Sequence, residues 1–242
     1  MKWLRPGRGW VWAGAAWASL AHLMLVGAAL VWWADLAAPP QDLPWKPLRL
    51  AQVPGLATDY KFARAAKSPV ACRLILRDGG VRFDESPPVI EGRCWQLDAV
   101  RLRGGVTPLA PAGPVMTCRQ ALAYAFWDRH GLQPAARALL GAQVTRVEHV
   151  GTYACRNLYG REDTPRSEHA FANALDVGGF RMSDGRRLRI LDDFHGEGPE
   201  GLFLRAARDS ACRWFRVTLS PDYNAAHATH LHLDSGPYRA CR

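Results

Sequence analysis

The feature that most constrains this chain is an apolar segment of 24 residues, Trp10–Trp33, close to the N-terminus. As a helix it would be about 36 Å long, enough to cross a hydrocarbon core of about 30 Å. Tryptophans lie at both of its ends, as in the aromatic belts of membrane helices. Basic residues precede the segment, so the positive-inside rule predicts that the N-terminus stays in the cytoplasm and the rest is exported: Lys2, Arg5 and Arg8.

The same segment could instead be a cleaved signal peptide. Signal peptides usually have an apolar region of only about 7–15 residues, and the sequence after Trp33 is a poor cleavage site. We therefore favour a retained anchor. The predicted organisation is a cytoplasmic N-terminus at 1–9, a transmembrane helix at 10–33, a proline-rich linker at 34–47 and one exported domain at 48–242.

Six cysteines follow the apolar segment, and none forms a Cys-x-x-Cys pair. Zinc-finger spacing is therefore absent, and an even number of cysteines in an exported domain predicts three disulfides. Six cysteines allow about 15 connectivities. Proximity in the chain favours one local pair, Cys72 with Cys94, and leaves the other four open: Cys118, Cys155, Cys212 and Cys241.

The composition is that of a folded, basic domain. Hydrophobic residues make up 48% of the chain, which is enough for a core, and the formal net charge is +9. Much of that charge consists of scattered arginines, and no dense basic stripe is visible. The sequence therefore does not predict a nucleic-acid partner.

Short helical and strand patterns alternate irregularly after residue 48, which predicts an α+β domain with a small antiparallel sheet and flanking helices. Helices are expected at 59–67, 121–127, 135–140 and 198–210, with Thr117 as an N-cap and Leu202 facing inward. Strands are expected at 72–77, 143–149, 153–156, 172–181, 187–191 and 230–234.

Two segments carry a possible metal site: one from Ser167 to Asp176 and one from Asn224 to Asp234. A catalytic zinc ion takes about three nitrogen or oxygen ligands and leaves one position open. His230 and His232 would lie on one face of a strand. His169 and Asp176 are seven residues apart, so one of them must lie on a turn ahead of the strand that carries the other.

Several motifs in the sequence resemble motifs of known protein families. Ser167-x-His169-x6-Asp176 resembles the signature of zinc D-Ala-D-Ala carboxypeptidases, with Ala172 in place of its glycine. The later His-x-His is similar to that of murein endopeptidases in the same Hedgehog/DD-peptidase group. Four further runs resemble the bacterial extensin-like C-terminal domain family over roughly 43–242: Gly-Thr-Tyr-Ala-Cys-Arg, Ser-Glu-His-Ala-x-Ala-Asn-Ala-Leu-Asp, Arg-Asp-x-Ala-Cys-Arg and Pro-Asp-Tyr-Asn-Ala-Ala-His.

The resemblance implies a Hedgehog/DD-peptidase-like domain in which His169, Asp176 and His232 bind Zn²⁺. It also implies that His230 and Arg156 are catalytic, with substrate near Ser167 and Tyr153.

The implied function is a peptidase of peptidoglycan stem peptides or cross-links, in the periplasm and anchored to the bacterial inner membrane. One alternative is a non-catalytic, zinc-containing module that binds the cell wall, and another is a metal-free structural protein of the envelope.

Overall fold

The computed structural model describes the backbone of residues 8–242 and the side chains of residues 17–242. Helix α1, Arg8–Ala37, contains the whole predicted membrane segment. Its part from Trp17 to Ala37 is long and apolar enough to cross a membrane, and a signal sequence would have the same properties. The charges of Lys2 and Arg5, and the side chains of Trp10 and Trp12, lie outside the described residues.

The predicted linker is docked on the domain. A 3₁₀-helix at Pro40–Asp42 is followed by Leu43, which is buried. The Asp42 carboxylate accepts a hydrogen bond from the Leu56 amide at 2.7 Å, and Lys61 Nζ donates to the Pro40 carbonyl at 2.9 Å. The prolines stiffen this segment, but its polar groups are satisfied by the domain, so it is not a free spacer.

Two short helices and a small sheet come next. Helix α2 is Thr58–Ala65, and helix α3 is Pro69–Asp78. Strands β1 (Arg82–Glu85), β4 (Ala99–Gly104) and β6 (Val115–Thr117) form a three-stranded antiparallel sheet. Strands β2 (Val89–Glu91) and β3 (Cys94–Gln96) form a separate hairpin. The predicted strand at 72–77 is wrong, because this stretch lies inside α3.

Helix α4, Cys118–Trp127, is the centre of the core, and nine of its side chains are buried. The Thr117 hydroxyl accepts from the Gln120 amide at 3.2 Å, which confirms the predicted N-cap. A π-helical turn, Asp128–Leu132, leads into α5, Gln133–Leu140, which ends at Gly141 in the left-handed conformation.

The main sheet has seven strands in the order β12-β10-β11-β8-β7-β5, with β9 paired to β8. It is mostly antiparallel, and the pairs β5–β7 and β10–β12 are parallel. The strands are β5 (Leu109–Ala110), β7 (Val144–Gly151), β8 (Ala174–Met182), β9 (Arg187–Arg189), β10 (Val217–Leu219), β11 (Leu231–Asp234) and β12 (Ala240–Cys241).

Helix α6, Ile190–Asp193, leads to the long helix α7, Pro199–Trp214. Phe203 of α7 packs edge-on against Phe180 of β8, with ring centroids 5.4 Å apart, and Trp127 of α4 lies 6.3 Å from the same ring. Leu202 was predicted to face inward and is 47% exposed, because the buried stripe of α7 passes through Phe203 and Leu204 instead. The helices thus cover one face of the main sheet and leave the other for polar side chains.

Three disulfides close the domain, as the cysteine count predicts. The pairs are Cys72–Cys118, Cys94–Cys155 and Cys212–Cys241. The predicted local pair of Cys72 with Cys94 is wrong, because Cys72 on α3 lies against the first turn of α4. Helices packed on antiparallel sheets confirm the α+β class, and the main sheet is larger than expected.

Candidate metal centre

The first residue of the site, His169, lies on a 3₁₀-helix at Glu168–Phe171, directly ahead of β8. The Ser167 hydroxyl caps this turn by accepting from the His169 amide at 3.3 Å. The turn ends at Ala172, whose backbone is left-handed with φ of 53°. His169 is therefore on a turn ahead of the strand that carries Asp176, the arrangement that the seven-residue spacing required.

Asp176 and His232 lie on adjacent strands. They are directly paired in the register of β8 and β11, on the face of the sheet that the helices do not cover. The apolar neighbours Leu175 and Leu233 point to the other face and are buried in the core. Because side chains alternate along a strand, core burial on one face directs the carboxylate and the imidazole to the other.

The ligand atoms of these three residues lie close together. His169 Nε2 is 3.1 Å from Asp176 Oδ2, and His232 Nδ1 is 2.8 Å from Asp176 Oδ1. The two imidazole nitrogens are 3.3 Å apart. Ligands at zinc distances on a tetrahedron are separated by roughly 3.3 Å, so the side chains fit a zinc ion with little movement.

The outer nitrogen of each imidazole is held by an acceptor. His169 Nδ1 donates to the Thr152 carbonyl at 3.1 Å, and His232 Nε2 donates to Asp234 Oδ2 at 3.1 Å. These bonds direct the other nitrogen of each ring inward, as is usual for histidines that bind metals. Thr152 and Asp234 therefore act as positioning residues.

The electrostatics favour a positive charge at this point. Burial alone would lower the pKa of His232, but the carboxylates of Asp176 and Asp234 outweigh it and raise this pKa to about 9. Burial would raise the pKa of Asp176, yet hydrogen bonds from His169 and His232 hold it well below its usual range. The charge can be carried by a proton or by a metal ion.

Two further histidines border the three. His230 directly precedes β11, and its Nε2 is 3.6 Å from Asp176 Oδ1. His227 is buried, and its Nδ1 donates to Asn224 Oδ1 at 2.7 Å. Its pKa is lowered to about 4 by burial and by the nearby charges of His232 and His230. Among the residues that the structure describes, only His169, Asp176 and His232 form a metal-type group here. Each of the three offers one ligand atom.

The other predicted site residues lie around the centre. Arg156 is exposed and close enough for its charge to lower the pKa of both His227 and His230, although burial is the largest cause in each case. The hydroxyl of Tyr153 donates to Glu91 at 3.3 Å, and the hydroxyl of Ser167 caps the turn of His169. Residues 153–156 were predicted as a strand and are a loop, because Ala154 donates to the His169 carbonyl instead of to a neighbouring strand.

Sequence reasoning assigned no role to three residues that shape the site. Asp234 could have been found, because it lies two residues after His232 on a strand and so shares its face. Thr152 acts through its backbone carbonyl. Every residue has this group, so the identity of the residue gives no signal in the sequence. Tyr159 lies in a left-handed conformation with φ of 54°, and its hydroxyl accepts from Asn224 at 3.4 Å.

Comparison with known proteins identifies a family. The family model described as "Extensin-like protein C-terminus" matches residues 70–242, which include every residue of the centre. No curated protein and no solved structure matches the chain.

Proposed function

The chain belongs to the extensin-like C-terminal family, and from this membership and the geometry of its polar centre we propose that it is a zinc-dependent peptidase. Its proposed substrates are the peptide bonds of peptidoglycan stem peptides or cross-links. The observation that carries the proposal is the approach of His169 Nε2 and His232 Nδ1 to 3.3 Å beside the Asp176 carboxylate, with the outer nitrogen of each ring bonded elsewhere.

The donor set supports a catalytic rather than a purely structural ion. Structural zinc sites are usually closed by four protein ligands, whereas catalytic sites have about three and an open position. Two imidazoles and one carboxylate meet here. We further propose a relationship to the Hedgehog/DD-peptidase group, because Ser167, His169, Ala174 and Asp176 match the carboxypeptidase signature.

A bound zinc ion supplies Lewis acidity and lowers the pKa of water. The chain's own residues supply the rest. His230 lies 3.6 Å from Asp176, is half-buried and has a pKa lowered chiefly by burial, so a neutral imidazole is available to take a proton and pass it to the leaving amine. The exposed guanidinium of Arg156 is near enough for its charge to act on His230 and would stabilise negative charge that develops on the scissile carbonyl.

We place this activity outside the cytoplasm of a bacterial cell. Three disulfides require an oxidising compartment, and α1 provides an anchor or an export signal. The proposed location is the periplasmic face of the inner membrane, where peptidoglycan is the adjacent polymer.

The test combines metal content with digestion of the wall. Purified full-length protein is analysed for zinc, and fragments released from purified sacculi are identified by mass spectrometry. Wild type should bind one zinc per chain and release peptides. His232→Ala should lose both properties, whereas His230→Ala should keep the metal and lose roughly 10²–10⁴-fold in rate.

The matched control is His195→Ala, since His195 is largely exposed and lies 3.8 Å from Asp222 and edge-on to the Phe194 ring. It should behave as wild type. A zinc-loaded protein that binds sacculi without releasing fragments would replace the peptidase with a non-catalytic wall-binding module. A protein that binds no zinc would eliminate both.

A further inference from the structure

A second polar site lies behind the metal centre, at the end of β10 and beside α2. It is a cavity of about 420 Å³ whose lining has five basic side chains and one acidic one, Asp59. The basic residues come from four separate stretches of the chain, which is why no basic stripe is visible in the sequence: Lys67, Arg119, Arg213, Arg216 and Arg239.

The one carboxylate in the lining of the cavity already forms an ion pair. Asp59 accepts from Arg213 Nε at 2.9 Å at the exposed edge of the cavity. Within residues 17–242, no hydrogen bond or ion pair joins Lys67, Arg119 or Arg239 to an acidic group. Among the described residues, these three cations therefore have no direct acidic partner.

Arg119 and Arg216 define the interior of the site. Arg216 uses one nitrogen to donate to the Pro237 carbonyl at 2.8 Å, and its Nε is buried without a partner among the described residues. Arg119 is half-buried, and its pKa is lowered first by burial and then by the positive charge of Arg216. Arg119 and Arg216 thus bring two positive charges to one cavity, and the buried Nε of Arg216 is a donor available to an anion.

The nearest carboxylates do not satisfy these donors. Glu168 and Asp234 attract Arg119 through space, but Glu168 accepts from Asn173 at 2.7 Å. Asp234 accepts from His232 at 3.1 Å and from the Gly236 amide at 2.8 Å. Lys67 and Arg119 also border an adjoining cavity of about 460 Å³ that contains Glu168, so the excess of basic side chains is greatest on the Arg216 side.

We propose that this cavity binds a phosphate group between Arg119 and Arg216, carried either by a soluble phosphorylated compound or by an anionic phospholipid headgroup. Guanidinium donors match the oxygens of phosphate in pairs, and a doubly charged anion neutralises two arginines at once. The site shares no predicted ligand with the metal centre, so it stands whether or not the chain is a peptidase.

The first experiment measures binding of pyrophosphate to the full chain in a neutral detergent by calorimetry, against chloride at the same ionic strength. Wild type should bind saturably. Arg119→Gln and Arg216→Gln should each weaken binding by roughly 10- to 100-fold, the usual effect of losing a charged hydrogen bond. The control is Arg103→Gln, which removes the same charge from an exposed pair with Asp84 and should bind as wild type.

Folding of the variants is checked by thermal melting without phosphate. Because burial and the nearby Arg216 disfavour the charge of Arg119, which forms no ion pair within the described part of the chain, Arg119→Gln should melt at the same temperature as wild type or higher. Lys67→Gln, at an exposed position in the same lining, provides a second variant that does not disturb the core.

The second experiment separates the two sources of phosphate. The full chain is placed in nanodiscs of phosphatidylcholine or of phosphatidic acid, and the modification of Arg119 by phenylglyoxal is followed by mass spectrometry. Protection by pyrophosphate in both lipids assigns a soluble ligand, and protection by phosphatidic acid alone assigns a headgroup. No binding and no protection, or equal binding by Arg119→Gln and Arg103→Gln, overturns the proposal.

Discussion

Each imidazole of the candidate metal centre depends on another residue to hold its ring. Thr152 holds His169 through a carbonyl, and Asp234 holds His232 through a carboxylate. Such partners fix the tautomer and orientation of a ligand before the metal binds. The affinity of the centre should therefore be sensitive to residues that never touch the ion.

Asp234→Asn tests this dependence. An amide can still accept from the Gly236 amide but provides no charge to hold the His232 ring, so zinc should bind roughly 10- to 100-fold more weakly while the protein stays folded. Competition with a chromophoric chelator measures the affinity. An unchanged affinity would mean that Asp234 serves only the turn at Gly236.

Ala172 occupies the position where the carboxypeptidase signature has glycine, and its left-handed backbone explains that preference. The left-handed conformation destabilises the fold by about 1–2 kcal/mol for a non-glycine residue. Burial of the alanine methyl group stabilises it by about 0.8 kcal/mol. Ala172→Gly should therefore leave stability unchanged or raise it by up to about 1 kcal/mol. Ala170→Gly, buried in the same turn, should destabilise by about 1 kcal/mol or more, and urea unfolding that shows equal losses would contradict the argument.

The family resemblance implied that His169, Asp176 and His232 form one group, and the structure brings these three side chains together. Adjacent strands that bury Leu175 and Leu233 must place Asp176 and His232 on the other face. The carbonyl of Thr152 and the pairing of the cysteines could not be predicted, since both depend on which distant segments meet. The convergence of Arg119 and Arg216 was missed for the same reason.

At the scale of elements, β8 is the strand on which the site is built. It pairs with β11, β7 and β9, and two glycines allow β7 and β9 to approach it. A Cβ atom at Gly179 would collide with the backbone carbonyl of Leu188 on β9, whereas one at Gly178 would lie 3.3 Å from a side-chain methyl of Val150, which is largely exposed.

These glycines give a matched pair of variants. Gly179→Ala should destabilise the domain by about 1–3 kcal/mol, because a backbone atom cannot move aside without breaking the β8–β9 pairing. Gly178→Ala should change stability by less than about 0.5 kcal/mol, because the Val150 side chain can rotate. Chemical denaturation compares the two, and equal losses would show that β9 is not fixed in place.

Most helices and strands could be predicted from the sequence, and the two wrong strand predictions have local causes. The stretch 72–77 has the apolar character of a strand, but Ser68 accepts from the Ala71 amide at 3.3 Å and Pro69 occupies the first turn, so a helix begins there. Cys72 and Leu76 then share its buried face. Residues 153–156 have strand-forming side chains, but their backbone is bonded to the turn of His169.

At the scale of the whole molecule, stability should fall in mild acid partly through His130. Its Nε2 donates to the Leu50 carbonyl at 2.8 Å, and its ring lies beside those of Phe126 and Trp214, at 5.7 and 6.1 Å. Burial lowers its pKa, and the charges of Arg129 and Arg213 lower it further, against the effect of the bond to Leu50. The unfolded chain therefore takes up the proton at a higher pH than the folded one, and stability is lost as the pH falls below about 6.5.

The measurement compares the free energy of unfolding at pH 7.5 and pH 5.5. His130→Gln can still donate to Leu50 and should show a smaller loss in acid than wild type. The exposed His195→Gln serves as the control and should follow wild type. A pH dependence that His130→Gln leaves unchanged would assign the acid sensitivity elsewhere.

All six cysteines are paired in the folded domain, and this imposes an order on its maturation. Before the bridges close, the chain has six thiols, which bind zinc more readily than two imidazoles and one carboxylate do. Metal taken up at that stage would be held at the wrong residues and would block the pairing of the sulfurs. Assembly of the proposed zinc site therefore requires that oxidation come first and metal loading second.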